Sequence, residues 1–108
     1  MARVLLGVTG GIAAYKAAEL ARLLVKARHE VTPILTAEAE TFVTTKTFEA
    51  LARRKAAREL YPHLAEADLL VIAPLSANTL AKLAHGLADD VLAQTVLAFD
   101  GPVLAAPA

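Results

Sequence analysis

The sequence has 108 residues, which is the size of one small domain. Its 11 basic and 11 acidic residues cancel, which argues against a nucleic-acid partner or an anionic membrane surface. It contains no cysteine, which excludes disulfides, a thiol nucleophile and a cysteine-based metal site.

The first half of the chain predicts a strand, a helix and a second strand. The apolar run from Arg3 to Thr9 predicts a buried parallel strand that ends at a Gly-Gly pair. The spacing of apolar residues from Gly11 to His29 predicts a helix, and Glu30 to Thr36 predicts a strand. Pro33 within that strand indicates an edge position or an irregularity.

The second half continues the alternation of helices and strands. A helix is predicted from Thr45 to Ala56, followed by a loop and a buried strand from Asp68 to Pro74. A short helix beginning at Ala77 is closed by Gly86, and Asp89 is the expected N-cap of another that runs to Phe99. A last strand is predicted from residue 102 to 108. This order predicts one α/β domain with a parallel sheet and right-handed crossovers.

Three segments rich in small or polar residues should meet at the carboxyl edge of this sheet, where such folds bind ligands. In the first, "TGGIAA", Gly10 and Gly11 precede a helix and favour a phosphate near the helix N-terminus. The segment matches neither the dinucleotide fingerprint nor the lysine-containing P-loop. A turn that uses glycine for geometry alone is the alternative.

The other two segments offer hydroxyl, amide and aromatic groups. "PLSANT" places Ser76, Asn78 and Thr79 at the start of a helix, which indicates a ligand with several oxygens, although helix capping is the simpler role. In "TAEAETF", Phe42 is either a core residue or an aromatic wall beside a ligand ring. Lys16, inside the first helix, is expected on a solvated face.

Of the three histidines, His63 is the one expected to reach a ligand, because it lies in the loop before the third strand. His29 and His85 are interpreted as residues of helix ends. Neither metal-ligand spacing nor a Ser/His/Asp order is present, so we expect no metal and no hydrolase triad.

Together, "TGGIAAYK", "APLSANTLAKLAHGLADD" and the closing "VLAAPA" resemble the flavoprotein family of phosphopantothenoylcysteine decarboxylases. That family includes the lantibiotic peptidyl-cysteine decarboxylases. Flavin prenyltransferases and the B subunit of dipicolinate synthase are more distant relatives. The resemblance covers essentially the whole chain and implies a Rossmann-like (flavodoxin-like) three-layer fold that binds FMN between subunits.

The resemblance also implies a set of FMN-binding residues and a reaction. Oxidation at the cysteinyl thiol of 4′-phosphopantothenoylcysteine would ease the loss of carbon dioxide, which leads to 4′-phosphopantetheine for coenzyme A synthesis. His63 would handle protons. The residues implied to contact FMN are Gly10, Gly11, Ile12, Ala13, Thr36, Glu38, Phe42, Ser76, Ala77, Asn78, Thr79 and Ala108.

The chain also departs from the family pattern. It stops at Pro107-Ala108, where the family continues with a Met-Asn pair that grips the substrate, a flap cysteine and, in bifunctional enzymes, a synthetase domain. Residues 1–108 are therefore expected to form one FMN-binding domain that lacks its C-terminal part. His63 matches the family histidine only if this loop is about three residues shorter.

Three alternatives to the decarboxylase remain. The chain could be a flavin-binding module without turnover, which its early end favours, or a flavin prenyltransferase, although the first and third segments fit the decarboxylases better. A nicotinamide-dependent dehydrogenase is disfavoured, because Thr36 stands where an acidic residue would bind the ribose.

The composition favours self-association, and a cytoplasmic location is the default expectation for a sequence without a recognisable targeting segment. A hydrophobic content of 56% is high for a small free-standing domain, so part of this surface is expected to be covered by other subunits. The resemblance implies a trimer, or a dodecamer built from trimers. No signal peptide or membrane span is recognisable in the sequence.

Overall fold

A computed structural model describes residues 1–107, with the side chain of His63 outside the description. Nine elements and one 3-10 turn follow one another along the chain. In order they are β1 (Arg3–Val8), α1 (Ala14–Lys26), β2 (Glu30–Leu35), the 3-10 turn (Ala39–Thr41), α2 (Thr45–Ala52), α3 (His63–Glu66), β3 (Leu69–Leu75), α4 (Ala77–Ala84), α5 (Val91–Ala98) and β4 (Val103–Pro107).

The four strands form one parallel sheet in the order β2-β1-β3-β4. This arrangement confirms the predicted α/β, Rossmann-like fold. β1 lies between two neighbours and is buried from Val4 to Val8, which explains its continuous apolar sequence.

Helices cover both faces of the sheet, which makes three layers. On one face, α1 packs through Ala14, Ala17 and Ala21, whose small side chains allow close approach to the strands, and α2 adds Phe48. On the other face, Leu92 of α5 packs among strand residues. The strand residues of this second cluster are Leu5, Ile34, Leu70, Ile72 and Leu75.

The outer edge of β2 is covered by the segment that follows α2. Ala57 donates its backbone N–H to the carbonyl of Pro33 at 2.8 Å. Because the nitrogen and carbonyl of one strand residue face the same side, the Pro33 nitrogen also points outward, and β2 loses no hydrogen bond to β1. The prediction that Pro33 marks an edge strand is confirmed.

Several predicted helix boundaries are wrong. α1 is shorter at both ends than the predicted range from Gly11 to His29. α2 ends at Ala52 because Arg53 adopts a left-handed conformation, with φ of 56°, which stops the helix four residues earlier than predicted. The short helix α3 lies where a loop was predicted.

The start of α5 also differs from the prediction. Asp90, not Asp89, is the N-cap, and its Oδ1 accepts a hydrogen bond of 2.7 Å from the backbone N–H of Ala93. Asp89 instead forms an ion pair with Lys82 at 3.2 Å. Gly86 has a φ of 70°, which agrees with its predicted role in closing the helix before it.

The predicted last strand is described except for its final residue. β4 ends at Pro107, and Ala108, which was predicted to end this strand, lies outside the described residues. Among residues 1–107, no helix has both the length and the apolar character that a membrane crossing needs.

Replacing Asp90 with alanine should destabilise the protein by about 1 kcal/mol, because α5 would lose its N-cap. The matched control is Asp89→Ala, which removes the same charge from an exposed ion pair and should cost less than about 0.5 kcal/mol. Urea unfolding followed by circular dichroism measures both. Equal losses in the two variants would contradict the assignment of the cap.

Candidate functional site

The buried hydroxyl of Thr9 joins the carboxyl ends of β1 and β3. Thr9 is 0% exposed, and its Oγ1 donates to the carbonyl of Pro74 at 2.5 Å. The same oxygen accepts a hydrogen bond of 2.8 Å from the backbone N–H of Ser76. The loop after β1 and the loop after β3 are thereby held side by side.

In the third segment, Ser76 is the N-cap of α4, and its Oγ accepts a hydrogen bond of 3.2 Å from the backbone N–H of Thr79. The two hydroxyls are also 3.2 Å apart. Both residues are buried, and Ser76 has the capping role that was the simpler of its two predicted roles. Asn78, in contrast, is exposed and directs its amide toward the second segment.

In the second segment, Thr36 is buried and its Oγ1 accepts a hydrogen bond of 3.1 Å from Ala39. This bond turns the chain sharply after β2 into the 3-10 turn. Phe42 follows the turn and is 50% exposed, so the alternative that it is a core residue is wrong. It is available as an aromatic wall.

Glu38 connects all three segments. Its Oε2 accepts a hydrogen bond of 3.3 Å from Nδ2 of Asn78. Its side chain also lies so close to Gly10 that a Cβ atom at that position would overlap it. The prediction that the three segments converge at one edge is therefore confirmed. We call the space above the main chain of Gly10, next to Asn78, the cradle. The Glu38 carboxylate lies in this space.

The other predicted ligand-binding residues of the first and third segments have small or apolar side chains. Ala13 is the N-cap of α1, Ile12 is 83% exposed, and Ala77 is exposed at the first position of α4. The positive dipole ends of α1 and α4 are thus at the same edge, which favours negatively charged ligand groups.

A cleft of about 350 Å³ opens beside the cradle, between α1 and the ends of β3 and β4. Lys16 is exposed, as predicted for a solvated residue, and it also lines this cleft. The other lining residues are Ala13, Ala17, Leu20, Ala73, Pro74, Ala106 and Pro107.

The structure does not bring His63 to the cradle within one chain. α3 precedes the amino end of β3, where Glu66 pairs with Arg3 at 3.8 Å and Asp68 accepts from the Arg3 N–H at 2.8 Å. The three segments follow the carboxyl ends of the strands, and seven residues of β3 span about 20 Å.

The other histidines have structural positions. Nδ1 of His29 accepts a hydrogen bond of 2.9 Å from the N–H of Ala2, which ties the start of the chain to the loop after α1. His85 is the C-cap of α4, as interpreted. Within residues 1–107, no three His, Asp or Glu side chains are close enough together to hold a metal ion.

Thr9 is the residue that the sequence interpretation missed. It was treated as the end of a strand, although a polar residue that ends a buried strand just before Gly-Gly is a recognisable signal. A hydroxyl at such a position must find partners when it is buried, and here those partners belong to the neighbouring loop.

The fold and the three converging segments define a parallel α/β protein with a candidate ligand site beyond the carboxyl ends of its strands. The sequence matches the Flavoprotein family over residues 1–108, and the chain belongs to that family. The resemblance inferred from the sequence motifs is thereby confirmed.

Named relatives agree with this assignment. The chain is 44% identical over 115 residues to the coenzyme A biosynthesis bifunctional protein CoaBC of Mycobacterium tuberculosis, an alignment covering 98% of this chain and 28% of that protein. It superposes on the FMN-dependent cysteine decarboxylase SpaF with a TM-score of 0.88 at 34% identity, covering 99% of this chain and 68% of the other. For a PPC decarboxylase mutant complexed with pantothenoylaminoethenethiol, the TM-score is 0.85 at 31% identity, covering 99% and 66%.

The relatives are longer than this sequence. The chain spans 28% to 29% of the length of the curated relatives that it matches. The activity, substrate and assembly of the whole protein are therefore matters of proposal.

Replacing Thr9 with valine should destabilise the protein by about 1–3 kcal/mol, because the buried N–H of Ser76 would lose its acceptor. Thr95→Val is the matched control. Thr95 is also 0% exposed, but its hydroxyl only donates to the Val91 carbonyl one helical turn away, so its loss should cost less than about 1 kcal/mol. Chemical unfolding of both variants tests this, and similar losses would argue against a special role for Thr9.

Proposed function

We propose that this chain is the FMN-binding domain of a phosphopantothenoylcysteine decarboxylase. The observation that carries the proposal is the convergence of three segments on the cradle floored by Gly10. The family match and the decarboxylases among its solved relatives support it.

Two features of the cradle support FMN as its ligand: the missing side chain at Gly10 and the nearby polar side chains. Because Gly10 has no side chain, a ligand atom could approach the main chain where the Glu38 carboxylate now lies. The hydrogen bond from the Asn78 amide to the Glu38 carboxylate supports the proposal, because the same amide could donate to a ligand oxygen. In our proposal Gly10, Gly11, Ser76, Asn78 and Thr79 hold the phosphate and ribityl oxygens.

The neighbouring residues would orient the flavin ring and exclude water from it. Phe42 is exposed at the end of the second segment and could stack on a ring, while Ile12 and Ala13 offer apolar contact. Thr36 and Ala77 contribute by shaping the two turns. When bound, FMN would supply the redox chemistry that makes loss of carbon dioxide from a cysteinyl substrate easy.

A proton-handling role for His63 requires a second subunit, because α3 lies toward the amino ends of the strands. The alignment with the M. tuberculosis relative covers 115 positions, so that relative contains residues that this chain of 108 lacks. This difference is consistent with a shortened loop before β3. We therefore keep His63 as the proposed catalytic residue, acting at a neighbouring subunit's flavin.

Flavin binding without turnover is the second candidate function. The position of α3 favours it, because within one chain the backbone of this helix lies near the amino end of β3, and the proposed flavin site lies at the carboxyl end. A chain that binds FMN but leaves a cysteinyl substrate unchanged would support this candidate.

The exposed apolar residues support a homo-oligomer. Ile12 is 83% exposed, Tyr15 is 60% exposed, and every described residue of β4 is exposed, including Leu104 at 60%. Such surface commonly marks an interface. We propose a cytoplasmic trimer, or a multiple of one such as a dodecamer, with FMN near the contact between subunits.

Replacing Asn78 with leucine should weaken FMN binding by about 1–3 kcal/mol, because a ligand oxygen would lose its amide partner. The wild-type protein should bind one FMN per subunit, measured by flavin absorption and fluorescence titration. The control is Gln94→Leu, which removes an exposed amide from α5, away from the three segments.

If Asn78→Leu binds FMN with unchanged affinity, Asn78 has a role in the local fold only. A wild-type protein that binds no added FMN would overturn the proposed function itself.

Sedimentation equilibrium with FMN present should give a single species with the mass of three subunits or a multiple of three. The physical reason is the apolar surface that one chain leaves exposed. A monomer at micromolar concentration would contradict the proposed assembly, and so would a broad distribution of masses.

A further inference from the structure

The side chain of Glu38 occupies the place where the proposed function puts ligand oxygens. Its carboxylate lies over Gly10 and accepts a hydrogen bond of 3.3 Å from Asn78. Both of these contacts are with residues proposed to bind FMN. Glu38 is thus an internal anion within the cradle.

Glu38 is held less firmly than the other acidic residue of its segment. Oε1 of Glu40 accepts from the Thr45 hydroxyl at 2.8 Å and lies 3.7 Å from Arg58. Among the side chains that the structure describes, no cation forms an ion pair with Glu38, and the Glu38 side chain is exposed. Rotation about its side-chain bonds could therefore free the cradle without unfolding the segment.

A phosphorylated ligand meets two obstacles at this position. The carboxylate must leave the space above Gly10, and in any nearby position its negative charge repels the phosphate. An otherwise identical ligand without the phosphate is not repelled. The presence of Glu38 should therefore act against the phosphorylated flavin selectively.

We propose that Glu38 is a specificity-determining residue that weakens the binding of FMN relative to riboflavin by competing for the anion cradle. This inference rests on the proposed function, since it assumes that the flavin phosphate enters the cradle. It assigns to Glu38 a role opposite to that of a simple cofactor ligand.

The test compares FMN and riboflavin in fluorescence titrations of the wild-type protein, Glu38→Gln and Glu40→Gln. Glu38→Gln keeps the size of the side chain and removes its charge, so FMN affinity should rise about tenfold while riboflavin affinity changes less than about twofold. Glu40→Gln makes the same change of net charge two residues away. It should leave both affinities within about twofold, because distant exposed charges are screened.

Several results would overturn the inference. A fall in FMN affinity on Glu38→Gln would make Glu38 a ligand that assists binding, and an equal change for both flavins would show that the phosphate does not meet Glu38. An effect of the same size in Glu40→Gln would show that FMN affinity depends on the net charge of the protein and not on Glu38 in particular. If no protein bound either flavin, the proposed function would fail, and this inference with it.

Discussion

The site depends on the buried hydroxyl of Thr9. Two adjacent parallel strands do not by themselves fix the loops that leave their carboxyl ends, because the ladder of hydrogen bonds stops there. Thr9 extends this ladder by one step through a side chain, since it bonds both the carbonyl of Pro74 and the N–H of Ser76. Gly10 and Ser76, the N-cap of α4, are therefore held next to Thr9, which fixes the first and third segments relative to each other.

The second and third segments are connected more loosely. Thr36 fixes its own turn through Ala39, and Ser76 fixes the start of α4 through Thr79, so each segment is locally rigid. Between them, the described contact is the long hydrogen bond from Asn78 to Glu38, at 3.3 Å and exposed to solvent. The first and third segments are thus held together by buried hydrogen bonds, whereas the second segment meets the third through one exposed hydrogen bond.

Much of this arrangement could be predicted from the sequence, because it follows from local rules. A continuous apolar strand is favoured inside a parallel sheet, Gly86 is favoured at the end of a helix, and Pro33 is favoured in an edge strand. The errors arose where two neighbours compete or where a tertiary contact decides. From the sequence, Asp89 and Asp90 are equal candidates for the N-cap of α5; in the structure Asp89 pairs with Lys82, and Asp90 is the cap. The end of α2 at Arg53 could not be predicted, because no glycine marks it. The position of Glu38 over Gly10 joins residues from different loops, so no local pattern reveals it.

The two edge strands of the sheet, β2 and β4, differ in how far they could pair with a further strand. Pro33 presents no N–H on that side, and its carbonyl is already bonded to Ala57, so an incoming strand would find neither donor nor acceptor there. A further strand could therefore not pair with β2 at Pro33. β4 lies at the opposite end of the sheet and is exposed along its described length. Residues of β4 line the cleft beside the cradle, so a strand that added to the outer edge of β4 would extend the sheet on the side of this cleft.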